Sequence, residues 1–169
     1  MAGVARQPRE VTASAAVIAT LIERGYQIAV AESLTGGLLI AELVATPGAS
    51  AVVVGGVVAY NTELKARVLN VDAGALAEHG AVHPDVAAQM ATGVRAALAL
   101  ASGPTHVGIS TTGVAGPDPQ NGAGVGTVYL GFAIGGDVSV KRLTLFGSRQ
   151  AIREATVSES LAELARLLG

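Results

Sequence analysis

The chain has 169 residues, half of them apolar, with a net charge of −2 and neither cysteine nor tryptophan. That length and composition predict one folded domain, 1–169, with a core of Val, Ile, Leu and Ala; they exclude a disulfide framework, a cysteine nucleophile and a thiolate metal site. No stretch is strongly basic, and the longest apolar run, Ala51 to Tyr60, has about half the length of a bilayer span, so no nucleic acid and no membrane is expected as partner and the expected location is cytoplasmic.

Residues 1–9 read as a flexible tail. From Glu10 to Arg24, apolar residues recur at helical spacing (Val11, Ala15, Ile18, Leu21, Ile22), and Gly25 follows as a C-cap signal. Gln27 to Ala31 reads as a short strand, and Glu32 to Gly37 as the turn out of it. Leu38 to Ala45 reads as a helix, stopped by Thr46-Pro47-Gly48. The Val-dense run Ala51 to Tyr60 reads as a buried strand. Asn61 or Thr62 caps a short helix to about Leu69, and Asp72 caps another that Gly80 closes. Pro84 opens a helix that Val86 to Ala101 continues, ended by Gly103-Pro104. His106 to Thr112 is a strand, and Gly113 to Gly126 a long loop rich in Gly, Pro, Asn and Asp. Thr127 to Ile134 and Val138 to Phe146 form a hairpin, and Arg149 to Leu168 a final helix. Helices and strands alternate early and the hairpin comes late. The fold class is therefore α/β, with a mixed sheet and helices on both faces.

Four segments carry candidate chemistry. AESLTGG (31–37) leaves a strand and enters a helix, where ligands of open α/β sheets bind and where backbone N–H groups can hold an anion. Ser33 or Thr35 is either a nucleophile or contact there, or a plain helix cap; Glu32 is a base, a hydrogen-bond acceptor or a surface carboxylate. YNTELK (60–65) places Lys65 in the first turns of a helix, against the dipole. Partly buried it would serve as a base; exposed, it is a solvated lysine. ISTTGVAGPDP (109–119) ends a third strand in a glycine turn, where Thr112 and Gly113 could grip polar atoms. The glycines at 122–126 precede a strand, so they are not a dinucleotide fingerprint, which opens a helix. FGSRQAIR (146–153) sets Arg149 and Arg153 on one face at a helix start, a phosphate site or a pair of surface arginines. His79 and His83 have a metal-like spacing, but Gly80 and Pro84 interrupt any shared helix and no third ligand is evident, so no metal site is expected. His106 is expected to pack at a strand start.

Together these segments, in order, with GVGTVYL at 124–130, resemble the CinA C-terminal family, the nicotinamide-nucleotide amidohydrolases, over about residues 10–169. The resemblance implies a three-layer α/β/α sandwich. It implies hydrolysis of nicotinamide mononucleotide to nicotinic acid mononucleotide and ammonia, in pyridine nucleotide recycling, with no cofactor. Ser33 would be the nucleophile, Lys65 its base, and Tyr60 an assisting or positioning group. Substrate contacts would come from Glu32, Thr35, Gly36, Gly37, Thr112, Gly113, Arg149 and Arg153. The N–H groups of Gly36 and Gly37, or those near Gly113, would hold the oxyanion. Larger members carry a further N-terminal domain, and this chain looks like the stand-alone form. A homo-oligomer is expected, since Ala/Val-rich elements pack closely between subunits. The competing expectation is a non-catalytic nucleotide-binding or regulatory module.

Overall fold

The computed structural model describes residues 12–169, so the tail expected at 1–9 and the start of the first helix at Glu10 lie outside the described residues. The elements, in order, are α1 (Ala13–Arg24), β1 (Ile28–Glu32), α2 (Leu38–Val44), a 3-10 turn (Ala49–Ala51), β2 (Val53–Val58), α3 (Thr62–Leu69), α4 (Ala73–His79), α5 (Pro84–Ala97), β3 (Val107–Gly113), β4 (Thr127–Ile134), β5 (Asp137–Thr144) and α6 (Arg149–Leu168). The strands form one sheet in the order β2-β1-β3-β4-β5. β1 pairs parallel with β2 and β3, while β3–β4 and β4–β5 are antiparallel. The sheet is therefore mixed, as expected.

Alternating side chains divide the interior in two. Ile28, Val30, Val107, Ile109, Val128, Leu130 and Phe132 face the layer of α1, α2 and α6. Ala29 and Ala31 face the layer of α3 and α5, whose Leu69, Val86, Met90 and Val94 close over them. β1 is buried on both faces, as a parallel strand between helix layers must be.

The α5 face of β3 and β4 carries almost no side-chain bulk. A Cβ at Gly108 would lie 2.0 Å from the Ala91 carbonyl oxygen, and one at Gly131 would lie 2.2 Å from that of Ala87. Between them Ser110 Oγ donates to the Ala87 carbonyl at 2.7 Å. α5 thus lies directly on the sheet backbone. This holds the turn before α5 over the carboxyl ends of β1 and β3.

Two expectations are corrected. The Val-dense run is not a buried strand: β2 is an edge strand, only partly covered, with Val58 45% exposed. Val53 and Val57 pack partly against the two opposite helix layers, while one edge of the strand has no neighbour in the sheet, a pattern that Val density alone does not distinguish from burial on all sides. The helix after Pro84 ends at Ala97 rather than Ala101. Leu100 and Gly103 bond each other's backbone reciprocally at 3.0 and 2.9 Å, and this tight turn, with Gly103 at φ 115°, takes the residues the helix would have used.

Candidate active site

Ser33 follows β1 directly. Its N–H donates to the Thr111 carbonyl at 3.0 Å, extending the β1–β3 ladder to Ser33. Gly36 and Gly37, at φ 59° and 101°, then turn the chain into α2; a side chain is strained in that region, so glycine suits both positions. α2 has no side-chain N-cap of its own. The buried Glu32 carboxylate replaces it, accepting from the N–H groups of Gly37 (2.9 Å), Leu39 (3.1 Å) and Ile40 (2.9 Å). A negative charge fits the positive end of the helix dipole and satisfies its orphan donors. From α6, Arg153 donates to the carbonyls of Leu34 and Thr35, both at 2.9 Å. The Thr35 and Thr111 hydroxyls, both fully buried, bond at 2.8 Å. The turn is fixed from three sides.

Asn61 caps α3 by accepting from the Glu63 N–H at 2.8 Å. One turn in, Lys65 points inward and is 1% exposed. Its Nζ lies 3.0 Å from Ser33 Oγ and donates to the Ala59 carbonyl at 2.6 Å. Both partners are neutral oxygens, and Lys65 forms no ion pair among the described residues. Burial without a counter-charge penalises the ammonium, and it lowers the Lys65 pKa from 10.5 to about 8. A substantial neutral fraction is then present near physiological pH.

The pair opens into a cleft of about 140 Å³, bordered by Tyr60, Thr112 to Gly116 and Arg149, with Ala81 and Val82 as an apolar wall. Arg149 spans its mouth, donating to the Tyr60 hydroxyl at 2.9 Å and the Gly116 carbonyl at 2.7 Å. Thr112 Oγ1 donates to the Ala81 carbonyl at 2.6 Å and joins the two walls. A larger cavity of about 370 Å³ lies between α1, α2 and α6; there the Ser14 hydroxyl donates to the Glu42 carboxylate at 3.0 Å, and no lysine lines it. The chemistry, rather than the volume, selects the smaller cleft.

Of the residues singled out in the sequence, Ser33, Lys65, Tyr60, Thr112, Gly113 and Arg149 meet at this cleft. Glu32, Thr35, Gly36, Gly37 and Arg153 do not line it; they build the turn that carries Ser33. The oxyanion expectation for Gly36 and Gly37 is corrected: Gly36 N–H is taken by the Ser33 carbonyl and Gly37 N–H by Glu32. The N–H groups of Leu34 and Thr35 have no acceptor among the described residues, and Leu34 lines the cleft. On the opposite wall Val114 N–H is bonded to Thr127, while those of Ala115 and Gly116 have no acceptor among the described residues. Sequence reasoning missed Thr62, Asp118 and Gln120 at the rim and the Ala81–Val82 wall. Thr62 and Asp118 sit inside the quoted motifs, so proximity to Lys65 and the glycine turn was a usable signal. Ala81 and Val82 carry no polar group to betray them. His106 packs before β3, its Nδ1 accepting from the Gln27 N–H at 3.1 Å and its ring stacked on Tyr26. No helix among the described residues is long and apolar enough to cross a membrane.

A mixed sheet between two helical layers, with a serine–lysine pair at the carboxyl ends of its parallel strands, defines a class of α/β protein equipped for nucleophilic chemistry at a small polar cleft. The chain belongs to the CinA C-terminal domain family, which it matches over residues 10–168. It is 48% identical over 153 residues to a CinA-like protein of Frankia casuarinae, covering 90% of this chain and 34% of that protein. It is 50% identical over 137 residues to a putative competence-damage inducible protein of Geobacillus kaustophilus, covering 80% of this chain and 32% of that one. The chain thus spans about a third of the length of these curated relatives. Among solved structures it resembles a competence-damaged protein (CinA) superfamily protein of Klebsiella pneumoniae, at 33% identity and TM-score 0.85, covering 92% of this chain and 95% of that one. It also resembles the competence/damage inducible protein CihA of Agrobacterium tumefaciens, at 31% identity and TM-score 0.84, covering 98% of this chain and 100% of that one.

Proposed function

We propose that this chain is a cytoplasmic hydrolase that deamidates nicotinamide mononucleotide to nicotinic acid mononucleotide and ammonia through Ser33 and Lys65. The observation that carries the reading is the 3.0 Å separation of Lys65 Nζ from Ser33 Oγ, with the lysine buried and its pKa lowered to about 8. A serine hydroxyl is a weak nucleophile until a base takes its proton, and a desolvated lysine amine is such a base.

Neutral Lys65 takes the Ser33 proton as Oγ bonds to the carboxamide carbon. The carbonyl π pair moves onto oxygen, where the N–H group of Leu34, on the cleft wall and without an acceptor among the described residues, is free to receive it. Collapse of this intermediate breaks the C–N bond. The Lys65 ammonium gives its proton to the departing amide nitrogen, which leaves as ammonia. Lys65, neutral again, takes a proton from water, and the hydroxide attacks the acyl ester. The acid leaves, and Ser33 Oγ recovers the proton from Lys65. Arg149 at the mouth would hold the phosphate and so orient the carboxamide. The cleft volume of about 140 Å³ suits the pyridine carboxamide, with the ribose phosphate at the rim.

The test is ammonia release from nicotinamide mononucleotide by the native chain and by Ser33→Ala. Turnover in the native chain, reduced roughly 10³-fold or more by Ser33→Ala while the nucleotide still binds, is the expected result. Binding of the nucleotide with no turnover by the native chain would replace the hydrolase with a nucleotide-binding module.

A further inference from the structure

Two of the chain's three histidines flank the turn between α4 and α5. His79 ends α4, and His83 caps α5, its Nδ1 accepting from the Asp85 N–H at 3.3 Å. The sequence suggested that Gly80 and Pro84 would interrupt any helix shared by the two imidazoles, and the helix is broken there. With Gly80 at φ 74° the chain doubles back, and the two rings stack with centroids 4.2 Å apart and planes 17° from parallel. Asp85, on the first turn of α5, brings its Oδ2 to 3.7 Å from His83 Nδ1. One ligand atom from each of the three lies within 4.8 Å of the others. His79 and His83 border an open cleft of about 350 Å³ whose lining shares only Val82 with the cleft that holds Ser33 and Lys65.

We propose that His79, His83 and Asp85 form a binding site for one divalent transition-metal ion of the zinc type. The donor set is two imidazoles and one carboxylate, which suits zinc, nickel or copper; magnesium and calcium prefer oxygen-rich sets. Metal–ligand bonds of about 2.0–2.1 Å in a tetrahedral site place ligand atoms about 3.3 Å apart. The His83–Asp85 separation is within about half an ångström of that, and the His79 ring, whose ligand atom lies within 4.8 Å of the other two, would have to turn about its side-chain bonds to join them. The cap bond that His83 would exchange is long at 3.3 Å and easily given up. Arg142 lines the same cleft and opposes a cation there. With three protein ligands and an open side, the affinity is expected in the micromolar range, well below that of a closed structural zinc site.

The position gives the ion a consequence. It would tie the end of α4 to the start of α5 across Ala81 and Val82, which wall the catalytic cleft and take the Thr112 hydroxyl bond. The ion would stiffen that wall without touching the reacting groups. The inference stands independently of the substrate proposed above.

The test is titration of the untagged, chelator-treated chain with zinc and nickel chloride, by calorimetry and thermal melting. One ion per chain is expected, with a melting temperature raised by about 5–10 °C at a hundredfold excess over Kd. His79→Gln and His83→Ser should each weaken binding at least tenfold and remove the thermal shift; serine keeps an N-cap for α5, so the metal-free melting point should stay near the parent's. Magnesium chloride should produce no shift. Failure of the native chain to bind stoichiometrically, or binding that survives both histidine variants, would overturn the site.

Discussion

The two walls of the cleft are held in different ways. The Ser33 wall is over-determined. Glu32 takes three N–H groups, Arg153 takes two carbonyls, and the Thr35–Thr111 bond closes the floor, all through side chains that do not line the cleft. The wall from Thr112 to Gln120 is held by residues that also line the cleft: Thr112 on Ala81, and Arg149 on Gly116. One side spends buried polar groups on rigidity. The other keeps its anchors where a substrate can compete for them. This is the arrangement expected when the nucleophile must be placed in advance while the binding side adjusts.

The largest test of that contrast is Glu32. Glu32→Ala leaves three donors at the start of α2 without an acceptor in a buried site. A stability loss of about 3–4 kcal/mol is expected, read by urea unfolding. Glu32→Gln keeps one acceptor oxygen and should lose about half as much. In both variants kcat should fall while KM changes little, since the nucleophile is displaced and the binding wall is untouched. A raised KM with normal stability would show instead that Glu32 contacts substrate.

Lys65 gives the next effect, and its sign is opposite. Burial lowers its pKa from 10.5 to about 8, so between those values the unfolded chain holds more protons than the folded one. Stability therefore rises with pH across that window, and below about pH 8 the full deficit, about 3 kcal/mol, is present. Lys65→Met should be more stable than the native chain at pH 7, by about 2 kcal/mol once the lost bond to Ala59 is counted, and should show no advantage above pH 10.5. Unfolding at pH 7 and again above the upper value checks this. The same protonation governs rate: kcat/KM should climb about tenfold per unit of pH well below 8 and level off above it. A flat profile from about pH 6 to 9 would remove Lys65 as base.

Much of this was legible from local chemistry. Gly25, Asn61 and Asp72 cap helices where their residue types said they would, because a cap is decided within a few residues. Ser33 and Lys65 were legible as a pair only through resemblance, since 32 residues separate them. Glu32 and Arg153 read as ligand contacts because a carboxylate and a guanidinium beside a glycine turn look alike whether they face a substrate or a backbone. Their partners are main-chain atoms, and for Arg153 these lie 119 and 118 residues away. The same limit misplaced β2, whose edge position depends on which strands are missing beside it. It also hid the His79–His83 stacking, since the turn between two helices that brings the rings together is not written in the spacing of the histidines.

The smallest and sharpest test separates the two arginines, four residues apart on α6. Arg153 serves the rigid wall and Arg149 the adjustable one. Arg153→Ala removes two charged bonds to carbonyls and should cost about 1–2 kcal/mol of stability, lowering kcat with little change in KM. Arg149→Ala, at an exposed mouth, should leave stability within about 0.5 kcal/mol. It should raise KM for nicotinamide mononucleotide roughly 10–100-fold through loss of the charged phosphate contact, while the rate on nicotinamide riboside, which has no phosphate, stays as it was. The pairing of nucleotide and nucleoside is what makes the result informative. A general loosening of the cleft would slow both substrates alike, and an exchange of roles between the arginines would place the phosphate on the wall that the hydrogen bonds mark as rigid.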